Sequence, residues 1–262
     1  MVENVVHNYV PRPVLTPPPS PFNLVQLSVS APLAVRYFSS FWGATAIGLN
    51  DPNYVIKSVL KETFGDMSPR PWRIQAFQPD GSIMILGYTG ATHDDMANMV
   101  NDALPRLSDV FQKDEIAIRP VRRFGVGEIF DIHCHFSGMV SLTREHGRSW
   151  EKDAYYKELA DARAGGREPR DKNEVYQDIF HRHVAPGFDV LASRVVGFTL
   201  AKFSHKDERR RPTKTSSLVP AIDIVCRARV RDPDLVAALL ATGVGRAKAY
   251  GYGMLLLRQA GR

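Results

Sequence analysis

Near the C-terminal end, four glycines, an arginine, a lysine and two tyrosines fall within eleven residues: Gly243-Val-Gly245-Arg246-Ala-Lys248-Ala-Tyr250-Gly251-Tyr252-Gly253. Glycines let main-chain N–H groups approach a phosphate closely, and successive N–H groups form a nest for an anion. Arg246 and Lys248 add positive charge, and Tyr250 and Tyr252 offer π faces on which bases stack. The segment follows a predicted helix and precedes a predicted strand, and its spacing is not that of the dinucleotide fingerprint. No Gly-Lys-Ser/Thr closes it, so it is not a P-loop. Phosphate-backbone binding is the chemistry these residues suit, against the simpler role of a glycine turn.

Charge elsewhere points the same way. The chain carries 34 Lys+Arg against 28 Asp+Glu, a net +6, which suits a polyanionic partner. The segment Lys206-Asp-Glu-Arg209-Arg210-Arg211-Pro-Thr-Lys214 is a basic loop. In Arg227-x-Arg229-x-Arg231 the strand period puts three guanidiniums on one face and Cys226, Ala228 and Val230 on the other. Such a stripe tracks phosphates, or is neutralised by acids such as Asp223. The excursion Arg163-Ala-Gly-Gly-Arg167-Glu-Pro-Arg170 is either an RNA-ordered segment or a surface loop. Asp131-x-His133-x-His135 shares one strand face and could bind a metal, but H-x-H alone is weakly specific and no further carboxylate is near in sequence. No metal or other cofactor is expected.

These groups need elements to hold them. The 262 residues, 44% hydrophobic and 24% charged, suit one or two globular domains and exclude collagen-like or wholly disordered chains. No apolar run is long enough for a membrane helix, and the first residues lack the pattern of a secretory signal. Cys134 and Cys226, far apart in strand-like runs, read as buried free thiols, which fits a cytoplasmic protein. Residues 1–21 carry six prolines from Pro11 on and read as an extended tail.

From 22 to 122, a strand at 23–30 is followed by an unassignable stretch from Ala31 to Leu49. Asp51-Pro52 then caps a helix ending at Gly65. Ile56, Val59, Leu60 and Thr63 share its apolar face, and Tyr54, Lys57 and Lys61 another. Strands at 72–77 and 83–88 flank the turn Gln78-Pro-Asp-Gly81, and a helix from His93 precedes a strand at 116–121. The order is β-α-β-β-α-β. Residues 123–262 repeat it around a polar excursion from 137 to 171. Two tandem ferredoxin-like (RRM-like) domains of α+β class are therefore expected.

The glycine-rich segment with Met254-Leu-Leu-Leu resembles the C-terminal motif of the CRISPR-associated, CasE-type repeat-RNA endoribonucleases of the RAMP superfamily. Asp51-Pro-Asn-Tyr54-Val-Ile-Lys57 and Phe64-Gly-Asp-Met-Ser-Pro-Arg-Pro-Trp72-Arg-Ile resemble their first helix and the strand after it. Gly87-Tyr88, Trp150-Glu-Lys-Asp-Ala-Tyr155, Glu174-Val-Tyr176 and Val230-Arg-Asp-Pro-Asp234 fit later landmarks. The proline-rich tail departs from the pattern, as in a divergent branch such as the type IV counterpart.

The resemblance implies metal-independent cleavage of the repeat hairpin of precursor crRNA by its own 2′-hydroxyl, leaving 2′,3′-cyclic phosphate and 5′-hydroxyl ends. It implies continued binding to the crRNA within an effector complex. The family commonly carries Tyr-x-x-His on the first helix; here Tyr54-x-x-Lys57 stands instead. A lysine is a poor base at its usual pKa, so Lys57 is expected to stay cationic and stabilise the transition state. Arg246 crowding Lys57 would lower that pKa, and a bound phosphate would raise it. Tyr54, Lys57, Arg246 and, just ahead of the first helix, Arg36 are the cleavage-site candidates. Lys248, Tyr250, Gly243, Gly245, Gly251, Arg209, Arg210, Arg211, Lys214, Arg227, Arg229, Arg231, Arg163, Arg167 and Arg170 are the RNA-binding candidates. The alternative is a non-catalytic subunit that binds the crRNA hairpin without cutting.

Overall fold

The computed structural model describes residues 15, 17–42, 51–143, 149–204 and 216–260. The basic loop with Arg209, Arg210, Arg211 and Lys214 lies outside the described residues. Among the described residues are two four-stranded antiparallel sheets, each backed by helices, and a separate two-stranded sheet.

In the first half, β1 (Asn23–Ser30) runs directly into α1 (Ala31–Trp42), and α2 (Pro52–Phe64) follows. Asp51 accepts the Tyr54 N–H at 3.0 Å, Pro52 opens α2, and Gly65, at φ 52°, ends it. β2 (Trp72–Phe77) and β3 (Ser82–Thr89) are joined by the turn at Gly81 (φ 83°), where Asp80 accepts from Ser82 N–H at 2.9 Å. The helix read from His93 is broken by Pro105 into α3 (His93–Asp102) and α4 (Pro105–Ser108), before β4 (Ala117–Pro120). The sheet order β2-β3-β1-β4 is the ferredoxin-like order. Val25, Leu27, Val29, Ile83 and Ile85 pack on Ile56, Val59, Leu60 and Val100 to form its core.

The second half begins with β5 (Ile129–Ser137), then a separate hairpin, β6 (Met139–Thr143) and β7 (Ser149–Asp153). Helices α5 (Ala154–Ala164) and α6 (Lys172–Val184) precede the long hairpin of β8 (Phe188–Ser204) and β9 (Ser216–Val230). α7 (Pro233–Thr242) and β10 (Leu255–Gln259) close the chain. The sheet order β10-β5-β9-β8 repeats that of the first half, so the two ferredoxin-like folds stand in tandem. The polar excursion supplies β6, β7 and α5 as an insertion between the first strand and its helix.

Cys134 and Cys226 are free and buried, in line with their reading as core thiols. The halves meet closely: the Tyr88 hydroxyl of β3 donates to the Leu255 carbonyl of β10 at 2.9 Å. Of the proline-rich segment, Leu15 packs on the second core, and Pro19 lies where a Cβ on Gly90 would meet it at 2.9 Å. Among the described residues no helix is long and apolar enough to cross a membrane.

Candidate nucleic-acid interface

The glycine-rich segment leaves α7 at Gly243 and returns to the sheet at β10. Between them it leans on the first half. The Trp72 indole N–H donates to the Ala249 carbonyl at 3.2 Å, and Asn53 Nδ2 donates to the Tyr252 hydroxyl at 3.3 Å. A Cβ on Gly251 (φ 82°) would sit 2.9 Å from the Trp72 ring, and one on Gly253 (φ 77°) only 1.9 Å from the Val244 carbonyl oxygen. These two glycines are required by packing within the protein. A Cβ on Gly243 would likewise crowd Pro71 and Lys248 at about 3 Å. Gly245 differs: its hypothetical Cβ would make only ordinary contacts, 3.8–3.9 Å from Phe136, the Ser137 carbonyl and His183, with no clash. The amides of Gly245, Arg246 and Ala247 meet no acceptor among the described residues. With Gly245 at φ 68° and Ala247 at φ 59°, this run has the shape of an anion nest. His183 Nε2 would lie 3.9 Å from a Cβ on Gly245. Burial first, then Arg182 and Lys248, pushes its pKa down to about 4, which leaves it neutral near pH 7.

Lys57 joins α2 to this segment. Its ammonium lies 4.0 Å from the Tyr250 ring centroid and 6.0 Å from that of Tyr54, which supports the cation. Burial lowers the Lys57 pKa and Arg70 lowers it further, against a smaller raising effect of the Asp51 carboxylate. Arg70 takes the place expected of Arg246, whose guanidinium instead binds Glu151 of β7, with Nε at 2.7 Å. The reason is tertiary: the β6–β7 hairpin, unread in the sequence, brings a carboxylate over Arg246. Burial raises the phenol pKa of both Tyr54 and Tyr250, so neither is a ready base. Lys248 is half-buried and its pKa is lowered by burial. Lys57, Arg70 and Lys248 make no ion pair among the described residues. Arg36 is exposed on α1, and no contact among the described residues ties it to Lys57.

Tyr252 does not present a stacking face as the sequence suggests. It is 2% exposed and stacks on His135, ring centroids 4.8 Å apart. His135 Nδ1 lies 2.9 Å from Asp223, and His133 Nε2 3.8 Å from the same oxygen. The two histidines hold the Asp223 carboxyl far below its usual range. Asp131 is taken by Arg227, through Nε at 2.8 Å and Nη2 at 3.1 Å. Asp131 and His135 are thus spent on pairing within the sheet, while His133 Nε2 makes no hydrogen bond among the described residues, where no group of three or more His, Cys, Asp and Glu is placed to hold a metal.

Arg227, Arg229 and Arg231 are all exposed on the face opposite the buried Cys226, Ala228 and Val230, as the strand period predicts. Arg227 is committed to Asp131, and Arg231 to the Ala185 and Pro186 carbonyls and Asp189. The excursion around Arg163 is held by pairs within the protein. Glu158 accepts from Arg167 at 2.5 Å and from the Arg170 N–H at 3.0 Å, and Arg170 pairs with Asp178. Arg163 is exposed in the last turn of α5. Two cations were missed in the sequence, Arg70 and Arg73. Arg73 projects toward the second half near Asp223, with Nε and Nη1 buried and without a hydrogen-bond partner among the described residues. Both lie beside a Pro-flanked turn that gives no periodic signal.

A family model described as CRISPR associated protein matches residues 60–259. No curated protein matches the chain at the level of sequence. Three of the solved structures that share the fold are as follows. The CRISPR endoribonuclease Cse3 bound to 19 nt RNA is 16% identical, with 90% of this chain and 99% of that one covered at a TM-score of 0.57. CRISPR-associated Cas6e from Escherichia coli str. K-12 is 11% identical, covering 91% and 100%, TM-score 0.57. Thermus thermophilus Cse3 bound to an RNA representing a pre-cleavage complex is 16% identical, covering 90% and 98%, TM-score 0.53.

Proposed function

Since the chain belongs to the CRISPR-associated protein family, we propose that it is a crRNA-processing endoribonuclease that binds the repeat hairpin of precursor crRNA, cuts it without a metal and stays bound as a subunit of an effector complex. The observation that carries this reading is the Lys57 ammonium held 4.0 Å over Tyr250, where the first helix meets the glycine-rich segment. A cation at that junction, beside a row of unclaimed amides, suits the charge that builds on a pentacoordinate phosphorus. The amides of 245–247 and Lys248 hold the phosphate backbone, and Arg246 joins them by exchanging Glu151 for phosphate. Positioning then aligns the 2′-hydroxyl with the scissile bond. A phosphate beside Lys57 raises its pKa against burial and Arg70, so the lysine acts as a cation.

The second reading, a hairpin-binding subunit that does not cut, is favoured by one observation: among the described residues no histidine shares a hydrogen bond, ion pair or ring contact with Tyr54 or Lys57. End-labelled repeat hairpins incubated with the protein in EDTA separate the two. The first reading expects cleavage with 2′,3′-cyclic phosphate and 5′-hydroxyl ends. Tight binding with intact RNA supports the second, and cleavage lost on chelation refutes the metal-free mechanism.

A further inference from the structure

A cavity of about 220 Å³ opens between the start of β1, the turn after α2 and the end of β3. That is below the volume of drug-sized ligand sites and suits one flat heterocycle. Its walls are apolar and planar in part: Phe22, whose ring lies 5.3 Å from that of Tyr88, with Pro19 and the exposed Met67. Its edges are polar: Asp66 and Ser68 supply acceptors and a hydroxyl, and Arg70 supplies a guanidinium. Arg70 is also the cation felt by Lys57, so cavity and cleavage site share it. Along α2, Lys57 lies about 10 Å from Phe64, just before the turn that carries Asp66 and Met67.

We propose that this cavity receives a single unpaired base of the RNA, turned out of the stack next to the phosphate at Lys57, with Arg70 on its phosphate or base edge. Unpaired bases are recognised in this way, stacked on apolar or aromatic side chains and read along their edges. Thioether and phenyl walls suit either face of such a ring, and the planar guanidinium suits a phosphate or a purine edge. The assignment rests on the RNA reading above and adds to it a nucleotide subsite outside the glycine-rich segment.

The test is a scan of repeat hairpins, each with one abasic ribose at an unpaired position flanking the cut, with affinity as the readout. One abasic position is expected to weaken binding about tenfold, the loss of one stacked base. The same loss is expected to vanish in Met67→Trp, whose indole fills the cavity, because the two changes remove one interaction. If every abasic hairpin binds as well as the intact one, or if the loss persists in full in Met67→Trp, the subsite is wrong while the RNA reading stands. If no hairpin binds at all, both fall.

Discussion

Two basic regions of this molecule look alike in sequence and differ in the fold. On β9, Arg227 and Arg231 are answered by Asp131 and Asp189, and in the excursion Arg167 and Arg170 are answered by Glu158 and Asp178. At the junction of α2 and the glycine-rich segment, Lys57, Arg70 and Lys248 make no salt bridge among the described residues, and two of the three have pKa values lowered chiefly by burial. Counting positive residues along a chain therefore overstates the first region. What marks a site for a polyanion is charge the fold has not neutralised and amides it has not used.

The glycines offer the sharpest way to break this comparison. Gly253→Ala drives a Cβ into the Val244 carbonyl and is expected to abolish folding or lower the unfolding temperature severely, read by thermal denaturation. Gly245→Ala meets its neighbours at ordinary contact distance; it should stay folded, with only the cost of its positive φ, and lose RNA affinity in a gel-shift titration. Equal stability losses at both positions would mean that Gly245 is structural too.

The pH dependence of cleavage sharpens the role of the lysine. An ammonium that stabilises the transition state is present below the pKa of Lys57 and lost above it. Burial and Arg70 lower that pKa in the RNA-free protein, so at subsaturating protein, where the rate reports the free chain, the alkaline fall should begin below the range of a free lysine, and a bound phosphate should move it to higher pH at saturation. Arg70→Gln should move the fall to higher pH in single-turnover profiles. Lys248→Ala is expected to weaken hairpin binding and to reduce the slope of log affinity against log salt by about 1, with the fold intact. Arg227→Ala, whose guanidinium already serves Asp131, should change affinity and salt slope least, measured in the same titrations.

Much of the fold was legible because local signals agreed. Asp51, Pro52 and Gly65 bound α2 at both ends, Gln78-Pro-Asp-Gly81 marks the first hairpin, and the alternating burial of β1 and β5 follows the strand period. α1 was not legible: β1 passes into it at Ala31 without a turn residue, and Pro32 and its aromatic side chains blur the helical pattern. The β6–β7 hairpin lies hidden in a polar stretch, so the partner of Arg246 could not be foreseen. Tyr54, Lys57 and Tyr250 were legible as types in a motif. That Tyr250 meets Lys57 while Tyr252 is buried on His135 is a matter of tertiary packing, since Tyr-Gly-Tyr-Gly carries no period that tells its two rings apart.

The most direct measurement is single-turnover cleavage of a labelled repeat hairpin in EDTA, with protein in saturating excess, by the wild-type chain and by Lys57→Ala. The wild type is expected to cut, and the variant to bind the hairpin but cut about 10² to 10³ times more slowly, the usual cost of removing one preorganised charge-stabilising group. A Lys57→Ala protein that cuts at the wild-type rate would contradict the account.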